Sequence, residues 1–103
     1  MDNMNNENIK VYNVTKETFG FESITREGFS MLLANDVCVS VIYGDGSFSD
    51  KGESTAEVAV TDSKGNWYIL ANDKLVVFPL GSEVNPNVTP DELVTILNLA
   101  KQI

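Results

Sequence analysis

The chain of 103 residues has the length of one domain, and its composition of 43% hydrophobic and 21% charged residues is typical of a globular protein. Fifteen acidic against seven basic residues give a net charge of −8, which opposes binding to nucleic acid or to anionic membranes. The absence of histidine and the single cysteine exclude Cys/His zinc sites, Ser–His and Cys–His nucleophile pairs, and an internal disulfide.

The N-terminal part of the chain contains no signal peptide pattern, because no basic segment precedes an apolar one. No apolar run approaches the roughly 20 residues that a membrane helix needs. A lone thiol is compatible with a reducing compartment, so we expect a cytoplasmic protein. Residues 1–8 are polar and rich in asparagine, and we predict a flexible terminus there. Residues 9–15 (IKVYNVT) predict a first strand, and residues 16–21 a connection.

A short helix is predicted next, ending near Ala34. Ser23 and Thr25 are both plausible N-caps, because their side-chain oxygens can accept hydrogen bonds from free amides of a first turn. The apolar residues of this segment follow at i, i+3 and i+4, which predicts one buried helical stripe: Phe29, Leu32 and Leu33.

The middle of the chain predicts an antiparallel hairpin system. Residues 37–43 (VCVSVIY) alternate as a strand, residues 44–53 form a loop rich in glycine, serine and carboxylates, and residues 55–61 form a second strand. A turn over residues 62–66, whose glycine takes the positive φ, leads to a paired strand over residues 67–70.

The C-terminal third predicts one more strand and a helix. After a tight reversal at Asn72 and Asp73, residues 74–78 (KLVVF) form an apolar run that predicts a strand buried on both faces. Pro79 and a loop over residues 81–88 end the sheet. A capping box beginning at Thr89 then starts the last helix, whose buried stripe we assign to Leu93, Ile96, Leu97 and Ala100.

Together these elements predict an α+β fold. We expect an antiparallel meander of four to five strands with two helices packed on one face, forming a single domain over residues 9–103.

The 44–53 loop is the first candidate site. Asp45, Asp50 and Glu53 offer the oxygen ligands that a hard cation such as calcium requires. The EF-hand pattern is absent, since the sixth position from Asp45 is Asp50 rather than glycine and the twelfth is Ala56 rather than glutamate. No dinucleotide fingerprint or P-loop is present either, so the loop is interpreted as solvated and partner-facing.

Aromatic residues supply the second candidate surface. Trp67 and Tyr68 point to opposite faces of one strand, so one of them lies away from the helices. With Tyr43 and Phe48 they indicate either an interaction surface or ordinary sheet packing. The predicted binding residues are Tyr43, Asp45, Phe48, Asp50, Glu53 and Trp67, with no catalytic residue, metal ligand or cofactor. Cys38 is interpreted as a small core residue, because no cation lies near it in sequence.

The stretches VCVSVIYGDGSFSDKG (residues 37–52) and TAEVAVTDSKGNWYI (residues 55–69) resemble small uncharacterised accessory proteins of tailed bacteriophages. Those relatives also join such strands through a polar loop and end in a helix, here residues 90–102. The resemblance covers at most half the chain and carries no catalytic motif. It implies a virus-encoded protein that acts in a bacterial cytoplasm.

Three functions follow as hypotheses. The first is a non-enzymatic, acidic protein-interaction module that binds a host or viral protein through the 44–53 loop and the aromatic sheet face. The second is a protein that binds a small ligand or a cation with that loop. The third is a structural subunit that self-associates, as a homodimer for example, through an uncovered sheet face.

Overall fold

The computed structural model of the chain describes residues 20–25 and 27–103. These residues form one antiparallel sheet and one helix: β1 Gly20–Thr25, β2 Gly28–Leu32, β3 Cys38–Ile42, β4 Ala56–Thr61, β5 Trp67–Ala71, β6 Lys74–Val77, β7 Asn85–Val88 and α1 Pro90–Ala100. Strands β1 to β6 are neighbours in chain order, and β7 pairs with β4. The predicted flexible terminus (1–8) and first strand (9–15) lie outside the described residues.

The core lies between α1 and one face of the central strands. Val39 pairs with Val60 and Val41 pairs with Val58, so the alternation of β3 and β4 places all four valines on the same face. The eight core side chains are almost completely buried: Val37, Val39, Val41, Val58, Val60, Val88, Ile96 and Ala100. The last two belong to α1, so the predicted stripe of the terminal helix does face the sheet.

The prediction of a helix ending near Ala34 is wrong, and the described residues contain one helix rather than two. Strands β1 and β2 form a hairpin there, with Phe21 opposite Met31. In β2, Phe29 and Met31 alternate towards the core, a period of two that a short apolar window cannot distinguish from a helical stripe. A Cβ at Gly28 would lie 2.7 Å from the Val41 carbonyl oxygen, so this glycine lets β2 approach β3 closely.

The strand count and the burial of the last meander strand also differ from the prediction. The described residues contain seven strands where four to five are expected, because β1, β2 and β7 lie in segments predicted as helix, connection or loop. Strand β6 is at the sheet edge, where Val76 and Val77 are 41% and 45% exposed, so it is not buried on both faces. Strand β7 contains Pro86, which an edge position tolerates because no ladder amide is needed there.

The two predicted tight turns are confirmed. Gly65 has φ 86°, and Asn72 and Asp73 have φ 52° and 62° between β5 and β6. In the first turn, Asp62 accepts hydrogen bonds from the Asn66 side chain and the Tyr68 hydroxyl at 3.0 and 2.8 Å. The turn is therefore stabilised by a carboxylate as well as by backbone geometry.

Side-chain hydrogen bonds hold both ends of α1. The capping box is confirmed, since the Glu92 amide donates to the Thr89 hydroxyl and the Thr89 amide donates to the Glu92 carboxylate. At the other end, the Asn35 amide in the β2–β3 turn donates to the Ala100 carbonyl at 2.9 Å. Of the described residues, no helix is long and apolar enough to cross a membrane.

Strand β4 has two partners along the same edge. Strand β5 pairs with its end at Val60 and Thr61, whereas β7 pairs with its beginning, from Ala56 to Val58. The side chain of Asn85, only 6% exposed, lies where β5 and β7 diverge. Its oxygen accepts from the Leu70 amide at 2.7 Å, and its nitrogen donates to the carbonyls of Val58 and Tyr68 at 3.1 and 3.2 Å. The side-chain amide of Asn85 thus satisfies backbone groups of β4 and β5 where these two strands no longer pair with each other.

Replacing Asn85 by aspartate tests this arrangement. A carboxylate can accept from the Leu70 amide but cannot donate to the two carbonyls, so we expect the free energy of unfolding to fall by about 3 kcal/mol. Urea unfolding measures the change. Asn87→Asp is the matched control, because it adds the same charge to an exposed residue of β7; we expect a change within about 0.5 kcal/mol. Equal effects would contradict the role assigned to Asn85.

The Asp62 turn predicts a dependence of stability on pH. Burial raises the pKa of Asp62, but the hydrogen bonds donated by Asn66, Tyr68 and the Lys64 amide outweigh it and lower the pKa from 3.8 to about 2. A carboxyl whose pKa is lower in the folded state stabilises the protein above the unfolded value, and this contribution disappears as the pH falls through the folded value. We therefore expect the stability difference between the parent protein and Asp62→Asn to shrink from pH 5 to pH 2.

Urea midpoints measured across that pH range provide the readout. Tyr68→Phe removes one donor, so the pKa of Asp62 measured by NMR should rise in that variant. A stability difference that stays constant from pH 5 to pH 2 would show that Asp62 contributes nothing through its charge.

Candidate functional site

A cavity of about 180 Å³ opens between the end of the 44–53 loop, the paired strands β4 and β7, and the first turn of α1. Its walls are mainly apolar, with Val58 and Val88 almost completely buried beneath it. The lining residues are Tyr43, Gly52, Glu53, Ser54, Thr55, Ala56, Val58, Val88, Thr89, Pro90 and Leu93. The cavity therefore offers an apolar interior with a polar rim.

One wall of this cavity is built from the Tyr43 ring and the backbone of Gly52. A Cβ added to Gly52 would lie 3.0 Å from Cδ1 and 3.2 Å from Cγ of Tyr43, closer than ordinary van der Waals contact. Gly52 also has φ 84°, a conformation that side chains disfavour. Glycine at this position lets the loop lie directly against the ring.

Asp50 fixes the returning part of the loop. Its carboxylate accepts from the amides of Ser54 and Thr55 at 3.0 and 2.9 Å and from the Ser54 hydroxyl. The Asp50 amide in turn donates to the Thr55 hydroxyl at 2.9 Å. The hydrogen bonds from Ser54, the hydroxyl first, hold the pKa of Asp50 well below its usual range. The carboxylate thus holds two residues that line the cavity, Ser54 and Thr55.

Phe48 is held by its backbone while its ring faces solvent. Its amide donates to the Glu57 carboxylate at 2.9 Å, and its carbonyl accepts from the Asn87 amide at 2.8 Å. The residue is nevertheless 62% exposed. Because Asn87 adjoins Val88 in β7, these bonds connect the exposed aromatic residue to the strand that lines the cavity.

The surface around the cavity is acidic. Glu53 is on the rim, and Asp91 and Glu92 are exposed in the first turn of α1. Lys51 forms an ion pair with Asp45 at 3.3 Å, and both side chains are largely exposed. The carboxylates outnumber the lysine here, so the local field attracts cations, in agreement with the net charge of −8.

Five of the six predicted binding residues belong to this region. Tyr43 and Glu53 line the cavity, and the loop beside it carries Asp45, Phe48 and Asp50. Trp67 does not join them: it pairs with Thr61 on the sheet face opposite α1. The alternation of β5 separates it from the cavity, because neighbouring residues of a strand point to opposite faces.

The sequence pattern does not mark the cavity residues of β7 and the first turn of α1 as part of a site: Val88, Thr89, Pro90 and Leu93. The capping box identified Thr89 and Pro90 as the start of a helix, but nothing local shows that β7 pairs with β4. Only that pairing brings the start of the helix to the loop.

The opposite face of the sheet has its own apolar residues. Trp67 and Ile69 are half-buried there, and Val76 pairs with Ile69 while remaining 41% exposed. Cys38 is on this face as well, half-buried instead of being part of the predicted core. The helix of the described residues packs on the other side.

The acidic side chains of the described part of the chain do not converge on one point. Nowhere in residues 20–25 and 27–103 do three or more Cys, Asp or Glu side chains gather in a way suited to holding a metal ion. Both oxygens of Asp50 are engaged by Ser54. The Asp50 carboxylate is therefore engaged in holding the backbone at the end of the loop.

Comparison of the chain with protein-family models, with curated protein sequences and with solved structures gave no match in any of the three.

Replacing Asp50 by alanine tests whether this carboxylate holds the rim. The amides of Ser54 and Thr55 lose their acceptor, so we expect their hydrogen exchange to accelerate at least about tenfold. Since the bonds are exposed, the free energy of unfolding should change little. Asp45→Ala is the matched control, because it removes a carboxylate from the same loop. Unchanged exchange at both amides in Asp50→Ala would refute the assignment.

Proposed function

We propose that this protein is a non-enzymatic interaction module that binds a basic segment of a protein partner through the acidic 44–53 loop and its surroundings. The observation that carries the proposal is the placement of Phe48, an aromatic side chain 62% exposed on a loop that hydrogen bonds fix at several points. Aromatic residues held in place beside charged neighbours are typical anchors of protein interfaces.

Preorganisation supports this function. A flexible loop would lose conformational entropy on binding, whereas the backbone of Phe48 is already bonded to Glu57 and Asn87. Ser47 adds further bonds, to the Gly44 carbonyl and to Ser49, both at 2.6 Å. Little ordering therefore remains to be done when a partner binds.

The charge distribution favours a positively charged partner. Exposed carboxylates attract a basic surface from a distance and accelerate the encounter, and salt screens this attraction over about 8 Å at physiological ionic strength. A chain of net charge −8 is correspondingly disfavoured as a partner for nucleic acid.

A small-molecule or cation site in the loop has less support. Pockets for whole small ligands usually measure roughly 300–1,000 Å³, and the cavity beside the loop is about 180 Å³. Self-association is the second candidate, favoured by the apolar face that carries Trp67, Ile69 and the exposed Val76. Light scattering over a range of concentrations tests it, and a strict monomer would rule it out.

The resemblance to accessory proteins of tailed bacteriophages supplies the biological part of the proposal. On that basis the partner is a host or viral protein, and the compartment is a bacterial cytoplasm. Lysate of a bacterial host is therefore the source in which to look for the partner.

Affinity capture from that lysate at low and high salt, followed by titration of the recovered protein, tests the proposal. We expect Phe48→Ala to weaken binding about tenfold or more. Phe21→Ala is the matched control, because Phe21 is 63% exposed in β1. Asp45→Lys should weaken binding at low salt and lose this effect at high salt. A partner that binds both loop variants as tightly as the parent protein would disprove the proposal.

A further inference from the structure

The cavity beside the 44–53 loop has a volume and a lining that suit one side chain. We propose that it is the receiving pocket for a single large apolar side chain, phenylalanine or leucine in kind, within the basic segment of the partner. This inference rests on the proposed function and specifies the chemistry of what binds there. Its evidence is the size of the cavity, its lining, the state of the adjoining helix end and the surrounding charge.

Size and lining determine what the cavity can hold. An apolar protein cavity of about 150 Å³ is large enough for benzene, and this one is about 180 Å³. Val58, Val88 and Leu93 line it together with the Tyr43 ring, so a hydrophobic group would be removed from water on several sides. A peptide side chain of that size fits, whereas a drug-sized molecule does not.

The helix end beside the cavity does not favour an anion. The first turn of a helix commonly binds phosphate or carboxylate through its free amides. Here the Thr89 hydroxyl accepts from the Glu92 amide, and the Glu92 carboxylate accepts from the Thr89 amide. Asp91 and Glu92 also add negative charge at this point. An anion is therefore disfavoured here, and the apolar lining suits a neutral, apolar group.

The charges around the opening specify the residues that flank this side chain. Glu53 is part of the rim, and the exposed Asp91 and Glu92 follow Pro90, which also lines the cavity. Lysine or arginine on either side of the apolar residue would meet these carboxylates. The exposed Phe48 belongs to the same loop as Glu53, so a peptide segment could contact both the loop and the cavity, which an isolated small molecule could not.

The test uses short peptides with lysines on both sides of one central position, occupied by alanine, leucine or phenylalanine. We expect the phenylalanine and leucine peptides to bind the parent protein at least about tenfold more tightly than the alanine peptide, because the side chain leaves water. The phenylalanine peptide should also shift the NMR signals of the Thr55, Val88 and Leu93 amides, and the alanine peptide should not.

Ala56→Leu fills the cavity from its floor and should reduce the phenylalanine peptide to the affinity of the alanine peptide. Ala59→Leu is the matched control, because it enlarges a half-buried residue of the same strand on the opposite face. Circular dichroism shows whether both variants fold. If Ala56→Leu does not fold, the amide shifts in the parent protein decide the outcome.

The possible failures can be told apart. Salt-sensitive binding that is equal for the alanine and phenylalanine peptides would overturn this pocket and leave the acidic interaction surface standing. Amide shifts confined to the opposite sheet face would also overturn the pocket. Absence of binding by every peptide would overturn both the pocket and the proposed basic partner.

Discussion

The architecture depends on how one edge of strand β4 is divided between two strands. Within β4, only Val60 and Thr61 pair with β5, so the beginning of β4 is available to β7. Diverging strands leave backbone groups without partners, and a buried polar group without a hydrogen bond is costly. The side-chain amide of Asn85 bonds to β4 and β5 simultaneously, which makes the divergence stable.

The position of β7 in turn determines the site. Because β7 pairs with β4, Val88 is brought beside Ala56, and the helix begins two residues later at Pro90. The 44–53 loop meets the same strand from the other side, through the bond from the Asn87 amide to the Phe48 carbonyl. The cavity is the space that remains between these three elements. Its existence follows from strand pairing more than from the loop sequence.

The parts of the fold that are encoded locally could be predicted from the sequence. Alternating valines identify β3 and β4, and the positive φ of Gly65 and the capping box at Thr89 arise from neighbouring residues. Strand β2 was missed because a five-residue strand beginning at Gly28 is too short to reveal its period. Strand β7 was missed because Pro86 is typical of loops and its pairing with β4 is a long-range contact.

In the candidate site, too, only the features encoded by neighbouring residues could be predicted from the sequence. The carboxylates and aromatic residues of the 44–53 loop are recognisable as surface groups from their types alone. Trp67 lies apart from this loop, since its strand directs it to the other face of the sheet, and its part in binding stays a prediction. The lining contributed by Val88 and Leu93 could not be foreseen without knowing which edge β7 joins, and this information is distributed over the whole chain.

The bond between Asn35 and the Ala100 carbonyl spans 65 positions of the chain, whereas each of the strands β1 to β6 pairs with its neighbour in the chain. Local hairpins form with a small loss of loop entropy, so β7 and α1 are the elements whose docking requires the sheet to exist first. The recess beside the loop is therefore complete only when β7 and α1 are docked on the sheet. Any molecule that occupies it binds the completed fold alone, and by mass action it protects the protein against unfolding.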